Sequence, residues 1–330
     1  MKPTPSYATY LAVRDFIWRH SLFSPEDKIL LAVSGGQDSV AMLDIFAKRY
    51  TNKCIIAHVN HNIRENSRND AIFVKLMADK LGLECYILDV DVPQFAKDSK
   101  LSIETAARIL RRQALLDLAK ENSCKLALAH TMTDNAESIL MHIIHGSGID
   151  GLKGMQPATK EQDVEIIRPL LGIEREKTGE YCELEKLDIA LDSTNEDLKY
   201  KRNWVRSKLI PLLETQNKSI VETITRLGEN MTTSIESYDE LYRDIEAFKT
   251  NEGYTFGRHW LSNLTNLELK KAVEYCANKL TNKPFGLTSS HIQAIRHIID
   301  KADGSQSVFS YKNISVTRHL SEVRIHTKTK

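Results

Sequence analysis

Short apolar runs and amphipathic stretches alternate along the first half of the chain. Residues 29–33 (ILLAV), 54–59 (CIIAHV), 84–90 (ECYILDV) and 126–129 (LALA) read as strands, with 164–167 (VEII) as a fifth. Between them, residues 36–49, 67–81, 103–121 and 134–145 space their apolar positions three and four apart, the pattern of helices with one buried face. Strands separated by such helices specify right-handed βαβ units. The expected fold is therefore α/β, a doubly wound parallel five-stranded sheet. Residues 7–20 predict a short helix ahead of the first strand, with Leu11, Phe16 and Ile17 available to pack, and a further helix is expected over about 174–187.

The pattern changes further on. Residues 220–249 form a long, mostly polar stretch in which Ile224, Leu227, Met231, Ile235 and Leu241 keep roughly helical spacing, so they predict a helical connector. Helices near 266–280 and 289–301, followed by alternation over 307–326 that suits two or three strands, predict a small α+β unit. The expected division is a catalytic domain over 1–216, a helical connector over 217–250 and a small basic α+β domain over 251–330.

In a doubly wound sheet the ligand sits beyond the carboxyl ends of the strands, where the strand order reverses. Three polar clusters fall at such ends: SGGQDS after the first strand, HVNH after the second and HTMTD after the fourth. The first, comprising Ser34, Gly35, Gly36, Gln37, Asp38 and Ser39, has the form of a phosphate cradle. Two glycines let the backbone approach a phosphate, and the following helix aims its free N–H groups and positive dipole end at it. Asp38 would repel that phosphate unless a divalent cation lay between them. The string is neither a Walker A loop nor a GxGxxG turn. It resembles the PP-loop of the ATP pyrophosphatases, which split ATP between its α and β phosphates, and that resemblance implies the adenine nucleotide alpha hydrolase-like fold.

Other segments carry candidate chemistry beside a plainer structural reading. His58 and His61 suit nucleotide contact or, given a third ligand, a metal, while Asn60 and Arg64 suit a nucleotide or a nucleic-acid backbone. On the helix that Ser102 caps, Arg108, Arg111 and Arg112 lie off the apolar stripe; they form a solvated face or stabilise a transferring phosphoryl group. Asp134 and Glu137, three apart, share a helical face, either as ordinary first-turn acids or as acceptors for an ammonium group or a cation. Asp192, Ser193, Thr194 and Asn195 read as turn and cap residues. Beyond them, Lys199, Lys201, Arg202, Arg206 and Lys208 interleave with Tyr200 and Trp204, a pattern suited to RNA backbone contact and base stacking as well as to a solvated helix.

Charge adds to this picture. The chain of 330 residues carries a net charge of only +1, but residues 251–330 hold twelve Lys and Arg against six Asp and Glu, which leaves −5 over residues 1–250. A basic tail on a mildly acidic body suits a polyanionic partner. Cys54, Cys85, Cys124, Cys182 and Cys276 are scattered without a CxxC, so neither a disulfide framework nor a cysteine metal site is indicated. No signal peptide and no membrane-spanning run is apparent, which makes the expected location cytoplasmic. A homodimer is compatible with the sequence.

Six ordered blocks over residues 28–213 then carry a resemblance to a family: SGGQDS, HVNHNIRENSRND, ETAARILRRQAL, AHTMTDNAES with HGSGIDGLKGM, IIRPLLGIERE and DSTNEDLKYKRNWVRSKLIP. In that order they are similar to the bacterial tRNA(Ile)-lysidine synthetases. The tail resembles the family's accessory tRNA-binding domain; some members carry a further C-terminal domain, which the resemblance does not lead one to expect within these 330 residues, whether the protein is a short form or the sequence is truncated. The resemblance implies adenylation of the C2 carbonyl of the wobble cytidine in the CAU-anticodon isoleucine tRNA, followed by attack of the free L-lysine ε-amine to form lysidine.

Carried over residue by residue, Ser34, Gly35, Gly36, Gln37, Asp38, Ser39 and His58 would bind ATP, with Asp38 positioning Mg2+. Arg108 would stabilise the activated state, Asp134 and Glu137 would recognise lysine and share the catalytic role with Asp38 and Arg108, and Arg64, Lys201, Arg202 and Arg206 would contact tRNA. The chain departs from the family's AHHxDDQxET block, with Thr131 and Thr133 in place of a histidine and an aspartate. Competing readings are a PP-loop tRNA thiolase, disfavoured by the missing CxxC; a small-molecule synthetase or amidotransferase, which would not need the basic segments; and a non-enzymatic, nucleotide-regulated RNA-binding protein.

Overall fold

The computed structural model describes residues 4–50, 54–62, 67–146, 149–190, 201–236, 239–283, 285–301 and 307–328. They fall into two compact units, residues 1–229 and 230–330.

The first unit opens with helix α1 (Pro5–Arg19), capped by Thr4 and with proline in its first turn. Then come β1 (Ile29–Ala32), α2 (Gln37–Tyr50), β2 (Cys54–Asn60), α3 (Ser67–Leu81), β3 (Glu84–Asp89), α4 (Val92–Ser99), α5 (Ile103–Glu121), β4 (Lys125–Ala127), α6 (Met132–Ile144), α7 (Ile149–Leu152), β5 (Ala158–Glu161), β6 (Val164–Ile167) and α8 (Arg175–Leu184). The sheet runs β3-β2-β1-β4-β6-β5. Its first five strands are parallel, as expected, but β5 adds a sixth, antiparallel to β6 at the edge. The polar sequence of β5, ATKE, carries no apolar run because an edge strand buries little, which is why periodicity passes over it. Helix α4, capped by Asp91, is likewise an addition.

Alternate strand residues feed two cores, one on each face. Ile29 and Leu31 join α1, α2, α3 and α8 through Val13, Phe46, Val74 and Tyr181, whereas Leu30 joins α5 through Leu115, Leu116 and Ala119. Burying helices on both faces makes the sheet doubly wound. Because β1 lies between β2 and β4, the chain goes out to one side of β1 and returns on the other, so the switch point falls beside the carboxyl ends of β1 and β4.

A third cluster joins α6 to later helices. Ala136, Ile139 and Leu140 pack with Val205, Ile210, Val221 and Ile224. The helix that supplies the first two of these partners begins as α9 (Lys201–Trp204), widens into a π turn over Val205–Leu209 and continues as α10 (Ile210–Glu214). Pro211 has no N–H to give the preceding turn, and the wider turn just before it absorbs the misfit.

The predicted connector is two helices, α11 (Ile220–Glu236) and α12 (Asp239–Glu246), followed by strand rather than helix at residue 249. The second unit continues with β7 (Lys249–Thr250), β8 (Gly253–Gly257), α13 (Arg258–Asn263), α14 (Asn266–Thr281), α15 (Ser289–Asp300), β9 (Ser307–Tyr311), β10 (Ile314–His319) and β11 (Glu322–Thr327). Its antiparallel sheet, ordered β7-β8-β11-β10-β9, packs against α14 and α15 around Tyr254, Phe256, Val273 and Ile295. Arg318 is almost fully buried, yet its guanidinium donates to the carbonyls of Ile298 and Lys301 at the end of α15, so it acts as a helix cap. Among the described residues no helix is long and apolar enough to cross a membrane.

Candidate active site

The cradle forms where β1 ends. After Ala32 the chain gives one more sheet bond, Val33 N–H to Ala57 O at 2.9 Å, and then turns through Gly35 at φ +93°. The turn curls around the Ser39 hydroxyl: the amides of Ser34 and Gly35 donate to Ser39 Oγ at 3.1 and 3.2 Å, and that hydroxyl donates to Gly36 O at 2.9 Å. Gly35 is required twice over. Its backbone is left-handed, and a Cβ there would sit 3.1 Å from that of Ala190, whose amide donates to Gly35 O at 2.9 Å. The first-turn N–H groups of α2, which have no intrahelical acceptor, begin at Gln37, at the switch point, where an anion could take them.

Helix α8 fixes two cradle side chains. Gln37 Nε2 donates to Arg175 O at 2.9 Å and to Thr178 Oγ1 at 3.1 Å, so Gln37 is a strut between α2 and α8. The Thr178 hydroxyl lies 2.5 Å from Asp38 Oδ1 and 2.7 Å from Arg175 O, and its single proton serves one of them at a time. Burial raises the Asp38 carboxyl above the usual range, and the charge of Asp134 adds to this, against the opposing Thr178 hydroxyl and the Arg175 and Arg206 charges. A carboxylate so placed gains from a cation. Among the described residues no group of three or more His, Cys, Asp or Glu could hold a metal ion. The donor set fits a magnesium ion, which binds through one or two carboxylates together with substrate phosphates.

Three histidines line the same strand ends. His58 lies 2.9 Å through Nδ1 from Val33 O; a carbonyl only accepts, so Nδ1 carries the proton and neutral Nε2 is left as an acceptor. Burial lowers its pKa, and lowers those of His61 and His130 to about 4, with Arg111 opposing charge on both and Asp134 pulling His130 the other way. All three are neutral at physiological pH. The Nδ1 atoms of His61 and His130 are buried without a partner among the described residues. The bond to Val33 O fixes the His58 ring, and the two-histidine metal reading finds no third ligand among the described residues.

The acid pair lies at the start of α6. Thr131 caps this helix: Asp134 N donates to its hydroxyl at 3.3 Å, and Asp134 Oδ2 accepts from the Thr131 amide and hydroxyl at 2.9 and 3.0 Å. The two threonine departures thus have structural work, since Thr133 Oγ1 also accepts from Arg175 N at 3.1 Å. Glu137 is fully buried. Its Oε1 accepts from Arg206 Nε at 2.5 Å, and its Oε2 from Arg202 Nε at 2.8 Å and Arg206 Nη2 at 3.0 Å. Asp134 Oδ1 accepts from Arg202 Nη2 at 3.0 Å and Arg206 Nη2 at 3.1 Å. Burial would raise the Asp134 carboxyl, but Arg202, the Thr131 amide and Arg206 together hold it below the ordinary value.

Residues expected to serve lysine and residues expected to serve RNA therefore share one cluster. The partners are 65 to 72 positions apart in sequence, and nothing in the local pattern of either segment pairs them. Lys201 points elsewhere, with Nζ 3.3 Å from His145 Nε2. Arg108 and Arg111 are exposed on α5 and make no hydrogen bond or ion pair among the described residues. Desolvation, with the charges of Arg202 and Arg108, lowers the Arg111 pKa. Arg112 instead pairs with Glu161 on the edge strand. Arg64, the turn at residues 192–195, Lys199 and Tyr200 lie outside the described residues. Nothing in the local pattern singles out Thr178, or gives a role to Arg175 within the IIRPLLGIERE block, because only the packing of α8 on α2 brings them to the cradle.

A family model described as a PP-loop domain matches residues 12–213. A tRNA(Ile)-lysidine synthase of Thermosipho africanus is 38% identical over 237 residues, 71% of this chain and 54% of that protein. One of Pseudothermotoga lettingae is 31% identical over 322 residues, 95% of this chain and 69% of that protein. This chain thus spans little more than half the length of the first relative and about two thirds of the second. Among solved structures, the U34-tRNA thiolase NcsA of Methanococcus maripaludis with its [4Fe-4S] cluster aligns with a TM-score of 0.59 at 21% identity, over 68% of this chain and 78% of that one. At that identity the likeness concerns the fold.

Proposed function

This chain belongs to the PP-loop domain family and, within it, to the tRNA(Ile)-lysidine synthases, and on that premise we propose that it converts the wobble cytidine of the CAU-anticodon isoleucine tRNA to lysidine. The cytidine C2 carbonyl oxygen attacks the α-phosphorus of ATP and pyrophosphate leaves. The lysine ε-amine then attacks C2, and AMP departs with the oxygen.

The observation that carries this reading is the buried Asp134–Glu137 pair beside a phosphate cradle. A lysine ammonium, with a pKa of about 10.4, must be held and must lose a proton before it attacks, and carboxylates are the groups for that work. His130, neutral and next to this pair, adds an uncharged acceptor. The backbone and hydroxyls of Ser34, Gly35, Gly36 and Ser39 would cradle the phosphates, and His58 Nε2 would accept from the nucleotide. Asp38 would hold a magnesium ion, which supplies neutralising charge to the phosphates when bound. Arg108, free of protein partners among the described residues, would face the charge that develops as pyrophosphate leaves. Arg64 and Lys201 would contact the RNA backbone, as would residues of the basic second unit.

The cysteines weigh against the thiolase reading: Cys54, Cys124, Cys182 and Cys276 are buried. Burial raises the thiols of Cys54 and Cys182 to about 12 and about 11, the opposite of a reactive sulfur carrier. The test is incubation with ATP, magnesium, labelled lysine and the CAU tRNA. Label should enter the tRNA with release of AMP and pyrophosphate. Asp38→Ala should lower incorporation at least about 100-fold, the scale of losing a group that stabilises transition-state charge. Well-folded protein that leaves the tRNA unlabelled would overturn the proposal.

A further inference from the structure

We propose that Arg202 is an internal competitor of the amine substrate: its guanidinium occupies, between Asp134 and Glu137, the acceptor positions that a lysine ammonium takes, and lysine binds by exchanging with it. This rests on reading the two carboxylates as the amine site.

Two carboxylates offer about eight lone-pair positions. Asp134 Oδ1 accepts from Arg202 and Arg206, its Oδ2 from the Thr131 amide and hydroxyl, Glu137 Oε2 from both arginines and Oε1 from Arg206, so seven bonds are already made among the described residues. An ammonium brings three donors. Withdrawing Arg202 frees one position on Oδ1 and one on Oε2, and with the position left on Oε1 there are three. Charge leads to the same exchange. Within the hydrogen-bonded cluster two carboxylates match two guanidinium groups, so a third cation would enter beside the fully buried Glu137 with no carboxylate of the cluster left to it, whereas replacing one cation by another keeps the balance.

Arg202 is the cation suited to leave. It makes two of the bonds and its side chain is 45% exposed, whereas Arg206 makes three and is 24% exposed. Arg206 also sits in the π turn anchored by buried Val205 and Ile210, while Arg202 lies on the preceding turn, where no residue is buried. Departure of Arg202 costs little packing and leaves Arg206 to keep the carboxylates paired.

Calorimetric titration of L-lysine into the full chain, alongside incorporation into the CAU tRNA, tests the exchange. Arg202→Ala and Arg202→Gln should bind lysine about five- to tenfold more tightly than the unsubstituted protein, the scale of one part-exposed ion pair. Arg202→Lys, which retains a cation, should change binding by less than about twofold on the same scale. Methylguanidinium should weaken lysine binding to Arg202→Ala by refilling the vacated positions, and leave the unsubstituted protein nearly unmoved; a merely structural arginine gives no such response. Binding to Arg202→Ala and Arg202→Gln that is equal to or weaker than that of the unsubstituted protein, with incorporation intact in the latter, overturns the competitor and leaves the amine site standing. Neither lysine binding nor incorporation in any variant overturns both.

Discussion

The phosphate cradle and the carboxylate cluster lie at neighbouring strand ends but are built in opposite ways. In the cradle, the polar atoms of Ser34, Gly35, Gly36 and Ser39 satisfy one another within five positions of chain. In the cluster, Asp134 and Glu137 draw their cations from a helix that begins at residue 201. A site closed by neighbours in sequence keeps its shape as a motif. A site closed across the fold depends on the packing that brings its halves together, here the apolar contact of α6 with Val205 and Ile210.

The largest effect that separates the two should come from Glu137→Ala. It removes three of the five arginine bonds of the cluster and leaves both guanidinium groups to share Asp134 alone, and should cost about 3 kcal/mol, the low end of the range for breaking a buried pair because both arginines reach water. The drop in melting temperature should exceed that of Asp38→Ala. A smaller loss from Glu137→Ala than from Asp38→Ala would mean that the cluster is not what joins α6 to α9.

Acid should strain the cluster side next. His130 has an ordinary pKa near 6.5 when unfolded and about 4 when folded, so between these values the unfolded chain binds more protons. Stability is full above the upper value and is lost as pH falls toward the lower one, by roughly 2 kcal/mol after discounting for partial exposure. His130→Gln should flatten the fall in melting temperature between neutral and mildly acid pH. An unchanged slope would assign the acid sensitivity to His61, which is lowered to the same value.

The smallest effect concerns the cradle. Gly35→Ala forces a left-handed backbone on alanine and a Cβ against Ala190, at about 1–2 kcal/mol. Its melting temperature should fall modestly while ATP affinity, measured by titration, falls more, because the loop moves before the sheet does. Equal affinity in the variant would show that the loop tolerates the displacement.

The chain by itself determined those features whose cause is local. Alternating apolar runs and amphipathic helices dictated the five parallel strands, because each strand's side chains must be buried on both faces. The SGGQDS string dictated the cradle, since glycine and hydroxyl chemistry act within one turn. The tertiary structure alone decided that β5 completes the sheet edge, that α8 delivers Thr178 and Arg175 to Asp38, and that Arg202 and Arg206 face Asp134 and Glu137. An arginine's charge reads alike on a solvated helix and in a buried ion pair. Which of these it makes is settled by the apolar contacts of the helix that carries it, and those contacts join residues far apart in sequence.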